Sequence, residues 1–79
     1  MIYIKVSDDV VKKRQAIISN IVEIRLEKGL SQTQLAKLTG MHRSNICQIE
    51  SGRQNISLDT LIRIFDALGI DISIELKDK

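Results

Sequence analysis

Seventy-nine residues with 43% apolar content make one small domain, too short for a second and too apolar for a disordered chain. No proline, four glycines and a single cysteine exclude collagen-like and proline-rich segments, an internal disulfide and a cysteine-rich zinc site. The net charge of +2 is unevenly spread: from Lys12 to Arg53 eight Lys/Arg face three Glu, whereas from Gln54 onward three Lys/Arg face five acids.

In chain order, Met1–Val6 alternates Ile2, Ile4 and Val6 with Tyr3 and Lys5, the period of a short strand. The stretch MIYIKVSDD is too short and too charged for a signal peptide, and an apolar run of about 18 residues is absent from the chain. These features point to a cytoplasmic chain without a membrane segment. Ser7, Asp8 and Asp9 suit a helix cap and first turn, where free N–H groups and the helix dipole favour oxygen and negative charge. Val10, Val11, Ile17, Ile18, Ile21, Val22 and Leu26 then recur at helical spacing until Gly29, so a first helix of about 20 residues is expected.

Ser31-Gln32-Thr33-Gln34 has the form of a capping box opening a second helix, with Leu35, Ala36 and Leu38 as its inner face and Gly40 as its stop. A third helix is predicted from about Arg43 to Glu50, with Ile46 and Ile49 inward and Gly52 ending it. Ser57 caps a fourth, carrying Leu58, Leu61, Ile62, Phe65 and Leu68 as far as Gly69. Ile70, Ile72, Ile74 and Leu76 finally alternate with polar residues, which predicts a strand over 70–77.

Two short helices joined at a glycine turn inside a bundle of about four outline a helix-turn-helix. In that arrangement the first helix of the pair crosses the phosphate backbone and the second enters the major groove. The second must therefore be apolar inward and polar outward. Here Ile46 and Ile49 are inward, which leaves Arg43, Ser44, Asn45, Cys47 and Gln48 outside or flanking.

The stretch LSQTQLAKLTGMHRSNICQIESGRQNISLDTLIRIFDALGI resembles the Cro/phage-repressor type of helix-turn-helix, the XRE family, over about 40 continuous residues. The matching parts are Ser31-Gln32, Leu35-Ala36, Gly40, Ile46, the run Ile49-Glu50-x-Gly52-Arg53 and the Leu/Ile spacing of the fourth helix. Beside the short terminal strands read from alternation at 1–6 and 70–77, the resemblance implies a mainly α, lambda-repressor-like fold of four helices over residues 8–69, with the helix-turn-helix pair at about 31–50. It further implies that Gln32 binds a phosphate, that His42, Arg43, Ser44, Asn45, Cys47 and Gln48 lie at or beside base edges, and that Arg53, Gln54 and Asn55 grip the backbone. Arg43 suits guanine and Gln48 suits adenine by geometry. Arg25 and Glu50 match a structural ion pair that ties the first helix to the third.

Three positions depart from the pattern: His42 replaces a usual Ser or Thr cap, Cys47 a usual Ser, and Ile56 a frequent Pro. A terminal strand in place of a fifth helix is similar to HipB-type antitoxins, where such strands pair between subunits.

The implied function is sequence-specific recognition of double-stranded DNA by a homodimeric transcriptional regulator, in the first place a repressor. The alternative is an antitoxin that binds a partner toxin and represses its own operon. An enzyme is not expected, because one His and one Cys without clustered carboxylates make neither a zinc site nor a thiol nucleophile site. No cofactor or metal is implied. The scarcity of aromatics, Tyr3 and Phe65 alone, speaks against single-strand binding by base stacking. Lys12-Lys13-Arg14 reads as a solvated helix face in preference to a DNA contact. The 70–77 strand could pair with Ile2–Val6 in one chain, but pairing across a homodimer is preferred because a two-stranded sheet alone is marginal.

Overall fold

The computed structural model describes residues 10–73. Four helices run in chain order: α1 Val10–Glu27, α2 Gln32–Thr39, α3 Arg43–Glu50 and α4 Leu58–Leu68. α2 packs on α3 and α4, and α1 closes the bundle against α3 and α4.

Each boundary has a local cause. At α2, Gln34 N–H donates to Ser31 Oγ at 3.0 Å while Ser31 N–H donates to Gln34 Oε1 at 2.7 Å. This reciprocal capping box satisfies two donors that the first helical turn leaves without partners. At α4, Thr60 N–H donates to Ser57 Oγ at 3.2 Å. α3 begins at His42, whose side chain makes no capping bond, so its start relies on backbone geometry alone.

α1, α2 and α4 end alike. Past α2, Gly40 N–H bonds Lys37 O and Met41 N–H bonds Ala36 O, a Schellman arrangement. It needs a left-handed residue, and Gly40 sits at φ +71°. α3 ends differently. Gly52 N–H bonds Ile49 O, but the Gln48 carbonyl is taken by the Ser51 hydroxyl, and Arg53 N–H turns to Ser51 Oγ. The chain therefore leaves α3 along its own path into the 53–56 loop.

The core consists of Ile18, Ile21, Leu35, Ala36, Ile46, Ile64, Phe65, Leu68 and Ile70. Each fully buried Ile, Leu or Phe contributes roughly 1.5–3 kcal/mol relative to exposure. The inner faces differ in detail from the sequence reading. Leu38 is 59% exposed, and Thr39 is buried in its place, its hydroxyl donating to the Leu35 or Ala36 carbonyl. Positions 35, 36 and 39 share one side of α2, which leaves 38 outside. On α4 the buried stripe is Ile64, Phe65 and Leu68 with Leu61 alongside, whereas Leu58 (67%) and Ile62 (40%) face out. That stripe steps i, i+3, i+4, i+7 from Leu61, so Ile64 belongs and Leu58 and Ile62 fall off its edge. On α1, Val10, Val11 and Leu26 are exposed, and Ile17 and Ile24 pack against the core.

The strand expected over residues 1–6 lies outside the described residues, as does the part of the 70–77 strand from 74 onward. Residues 70–73 form no strand run. Ile70 is tucked into the core, and Ile72 is 41% exposed at an isolated β-bridge position.

Candidate nucleic-acid interface

The third helix is eight residues long, and its sequence divides it cleanly. Ile46 is 1% exposed and Ile49 packs against the core, which fixes the rotation of α3 on the bundle. At 100° per residue positions 44, 47 and 48 lie opposite, and 43 lies on one flank of that outer side. Arg43, Ser44, Cys47 and Gln48 are all exposed, as is Asn45 on the flank. His42 is exposed at the start of the same helix. The result is a convex ridge of short polar side chains with one guanidinium at its N-terminal end.

A buried network sets the angle between that ridge and the rest of the molecule. Arg25 Nε donates to Glu50 Oε2 at 2.7 Å and Arg25 Nη2 to Glu50 Oε1 at 2.9 Å, a two-pronged pair with side chains 9% and 7% exposed. The planar guanidinium matches a carboxylate in this geometry, and charge on both partners strengthens each bond. Arg25 Nη1 donates to Leu30 O at 2.8 Å, so the same side chain also fixes the α1–α2 turn. The last turn of α3 is thereby bolted to α1.

Gln32 joins this network: its Nε2 donates to Glu50 Oε1 at 3.1 Å. The amide is held beside α3, with one of its two N–H bonds committed to the carboxylate. Since Glu50 accepts only, the amide nitrogen must point to it, which fixes the amide's orientation. The second N–H stays available at the N-terminus of α2, where the backbone donors of the first turn also lie.

The loop residues are arranged around α3. Asn45, Gln48, Gln54 and Asn55 border one shallow depression between α3 and the start of α4, together with Ser57 and Thr60. Arg53, Gln54 and Asn55 are exposed. Asn55 Oδ1 accepts from Arg14 Nη1 at 2.6 Å, a link from α1 that the sequence reading did not contain. That link also corrects the view of Lys12-Lys13-Arg14 as a purely solvated face, since Arg14 is half-buried and engaged. The signal was present in the sequence: Arg14 stands on the same stripe as Ile18, Ile21 and Arg25, at steps of i, i+4, i+7 and i+11. A charged residue on the inner stripe needs a polar partner.

The sequence-derived positions thus separate into an exposed ridge (His42, Arg43, Ser44, Asn45, Cys47, Gln48), a loop beside it (Arg53, Gln54, Asn55) and a buried network (Arg25, Gln32, Glu50). Among the described residues no group of three or more His, Cys, Asp or Glu could hold a metal ion. No helix among them is long and apolar enough to cross a membrane.

A family model described as helix-turn-helix matches residues 21–74. An HTH-type transcriptional regulator of Haemophilus influenzae is 38% identical over 61 residues, covering 77% of this chain and 62% of that protein. The immunity repressor protein of Bacillus phage phi105 is 45% identical over 53 residues, 67% of this chain and 37% of that protein. The chain therefore spans less than two thirds of the length of these two curated relatives. Among solved structures, the restriction-modification controller protein C.AhdI of Aeromonas hydrophila superposes with a TM-score of 0.70 at 35% identity, covering 76% of this chain and 91% of that one.

Proposed function

The chain belongs to the helix-turn-helix family, and from that premise we propose that it is a sequence-specific double-stranded DNA-binding transcriptional regulator acting as a homodimeric repressor. The observation that carries the reading is the exposed ridge of α3. Ile46 and Ile49 commit one side of the helix to the core, and the exposed outer side is Ser44, Cys47 and Gln48 with Arg43 on its flank. A helix about 10–12 Å across with short polar side chains fits the major groove.

Phosphate contacts then give affinity and register, and base edges give sequence choice. Gln32, Arg53, Gln54 and Asn55 take the first role. Arg43 and Gln48 take the second, with His42, Ser44, Asn45 and Cys47 beside them. Repression follows from occupancy: a bound dimer obstructs whatever else would use the site. Pairing of segment 70–77 with its twofold mate would place two α3 helices in successive major grooves, about 34 Å apart, so the operator is an inverted repeat. The chain works in the cytoplasm, needs no cofactor and catalyses no reaction. An antitoxin role draws no support from the relatives above, which are named as regulator, repressor and controller.

The test is a titration of duplex DNA at several salt concentrations, followed by selection of bound sequences from a random pool. Displacement of counterions from phosphates gives a negative log–log slope, and direct base readout gives an enriched inverted repeat. A flat salt dependence would overturn the proposal.

A further inference from the structure

Arg14 lies one helical turn before Ile18 on the inner side of α1, and it reaches across 41 positions of sequence to Asn55. Its Nη1 donates to Asn55 Oδ1 at 2.6 Å, and its Nε is buried with no hydrogen-bond partner among the described residues. A buried N–H without a partner is costly, so the guanidinium is not placed there for its own solvation. Close by, Gly52 is buried beneath α1: a Cβ there would stand 3.5 Å from Gln15 Cγ. The N-terminal half of α1 is thus seated directly against the exit from α3.

The chemistry of the pair fixes a direction. A guanidinium has donors only, so Asn55 must turn its carbonyl oxygen to Arg14 and its Nδ2 the other way. Asn55 is exposed, and the loop it belongs to holds Arg53 and Gln54 beside α3. Held in this way, the loop presents donors outward in one arrangement.

We propose that Arg14 is a positioning residue for DNA binding: by clasping Asn55 it orders the 53–56 loop in the free protein and turns the Asn55 amide donor toward a phosphate oxygen. The inference rests on the DNA-binding reading above. Its energetic basis is preorganisation, because a loop already ordered has less conformational freedom to lose when DNA arrives. Arg14 acts through Asn55 and does not itself neutralise a phosphate.

The experiment compares the full-length chain with Arg14→Ala, Asn55→Ala, the double variant and Asn55→Asp, using a mixed-sequence duplex of about two helical turns as the probe. Anisotropy titrations at several salt concentrations give affinity and slope, thermal melts report folding, and amide hydrogen exchange follows the loop in the absence of DNA. Arg14→Ala is expected to weaken binding about 2–13-fold, the scale of one immobilised side chain, with the log–log salt slope unchanged. The double variant should bind no more weakly than Asn55→Ala alone, since the clasp acts only through Asn55. Loop amides should exchange faster in Arg14→Ala. Asn55→Asp keeps an acceptor for Arg14 but loses the donor and adds negative charge, so it should stay folded and bind more weakly than Asn55→Ala. It supplies the test should Arg14→Ala not fold.

Additive losses in the double variant overturn the inference, as does unaltered loop exchange in Arg14→Ala. A slope reduced by about 0.9 in Arg14→Ala does so as well, because it would make Arg14 a direct phosphate contact. Wild-type binding of Asn55→Asp also counts against it. A wild-type chain without salt-sensitive binding overturns the DNA-binding reading itself, and the inference with it.

Discussion

Replacing Glu50 by alanine isolates what the buried network contributes. The carboxylate is 7% exposed and receives three bonds, two from Arg25 and one from Gln32. The Arg25 side chain, 9% exposed in the intact pair, would keep the Leu30 carbonyl as its remaining partner in the network. Stranding one member of a buried pair costs about 3–5 kcal/mol. A domain of this size has about 5 kcal/mol or somewhat more in total, so the loss takes most of its stability. At about 4–8 °C per kcal/mol for a chain of this length, Tm should fall by roughly 12–40 °C. Thermal melts followed by far-ultraviolet circular dichroism read this directly. The decisive comparison is the pair Arg25→Met with Glu50→Leu, which removes both charges and keeps side-chain volume. It should recover most of that loss, because neither charge is then stranded and the remaining cost is that of the Leu30 carbonyl and Gln32 amide without their partners. A fall of less than about 5 °C in Glu50→Ala would refute the burial argument. So would an equal fall in the double variant, since the loss would then be one of packing and not of charge.

Three other outcomes are expected. Arg43→Ala should lower discrimination at one base pair of the selected site by ~1–3 kcal/mol, whereas Gln32→Ala should weaken binding to all sequences alike; competition titrations with cognate and scrambled duplexes separate the two. Ile64→Ala, which empties a site 1% exposed at the centre of α4, should destabilise the fold by about 2–5 kcal/mol in urea denaturation with the slope of the transition unchanged. Ser31→Ala removes the hydroxyl that accepts from Gln34 N–H and should cost about 1 kcal/mol in the same assay, far less than Glu50→Ala.

Local signals carried the fold. The capping residues Ser31 and Ser57 and the glycines that stop α1, α2 and α4 act within a few positions of sequence, so α2 and α4 begin and end where those signals stand. The ridge of α3 was legible for the same reason, since Ile46 and Ile49 fix its rotation by period alone. Inner faces were less so where apolar residues fringe a stripe. Leu38, Leu58 and Ile62 are apolar and exposed, while Thr39 is polar and buried because its hydroxyl bonds its own helix. Hydrophobicity by itself does not decide burial when the stripe is already full and a hydroxyl can satisfy itself locally.

What periodicity could not supply is the way polar side chains choose one another over long separations. Arg14 and Arg25 stand at the two ends of one α1 stripe, with Ile18 and Ile21 between them. Burying the isoleucines obliges both arginines to face the bundle, and each needs an acceptor there. Arg25 meets Glu50 at the end of α3, and Arg14 meets Asn55 in the loop that follows. The two contacts bracket the α3–α4 turn. α3 is itself too short to hold its own orientation, since its eight residues place one fully buried side chain, Ile46, in the core. Its angle to the bundle is therefore set jointly by its packing on α2 and by the polar contacts that reach it and its following loop from α1. The proposed DNA-reading ridge can in consequence vary at Arg43, Ser44, Cys47 and Gln48 without loss of fold, because the residues that aim it lie on the inner side of α3, on the other helices and in the loop behind it.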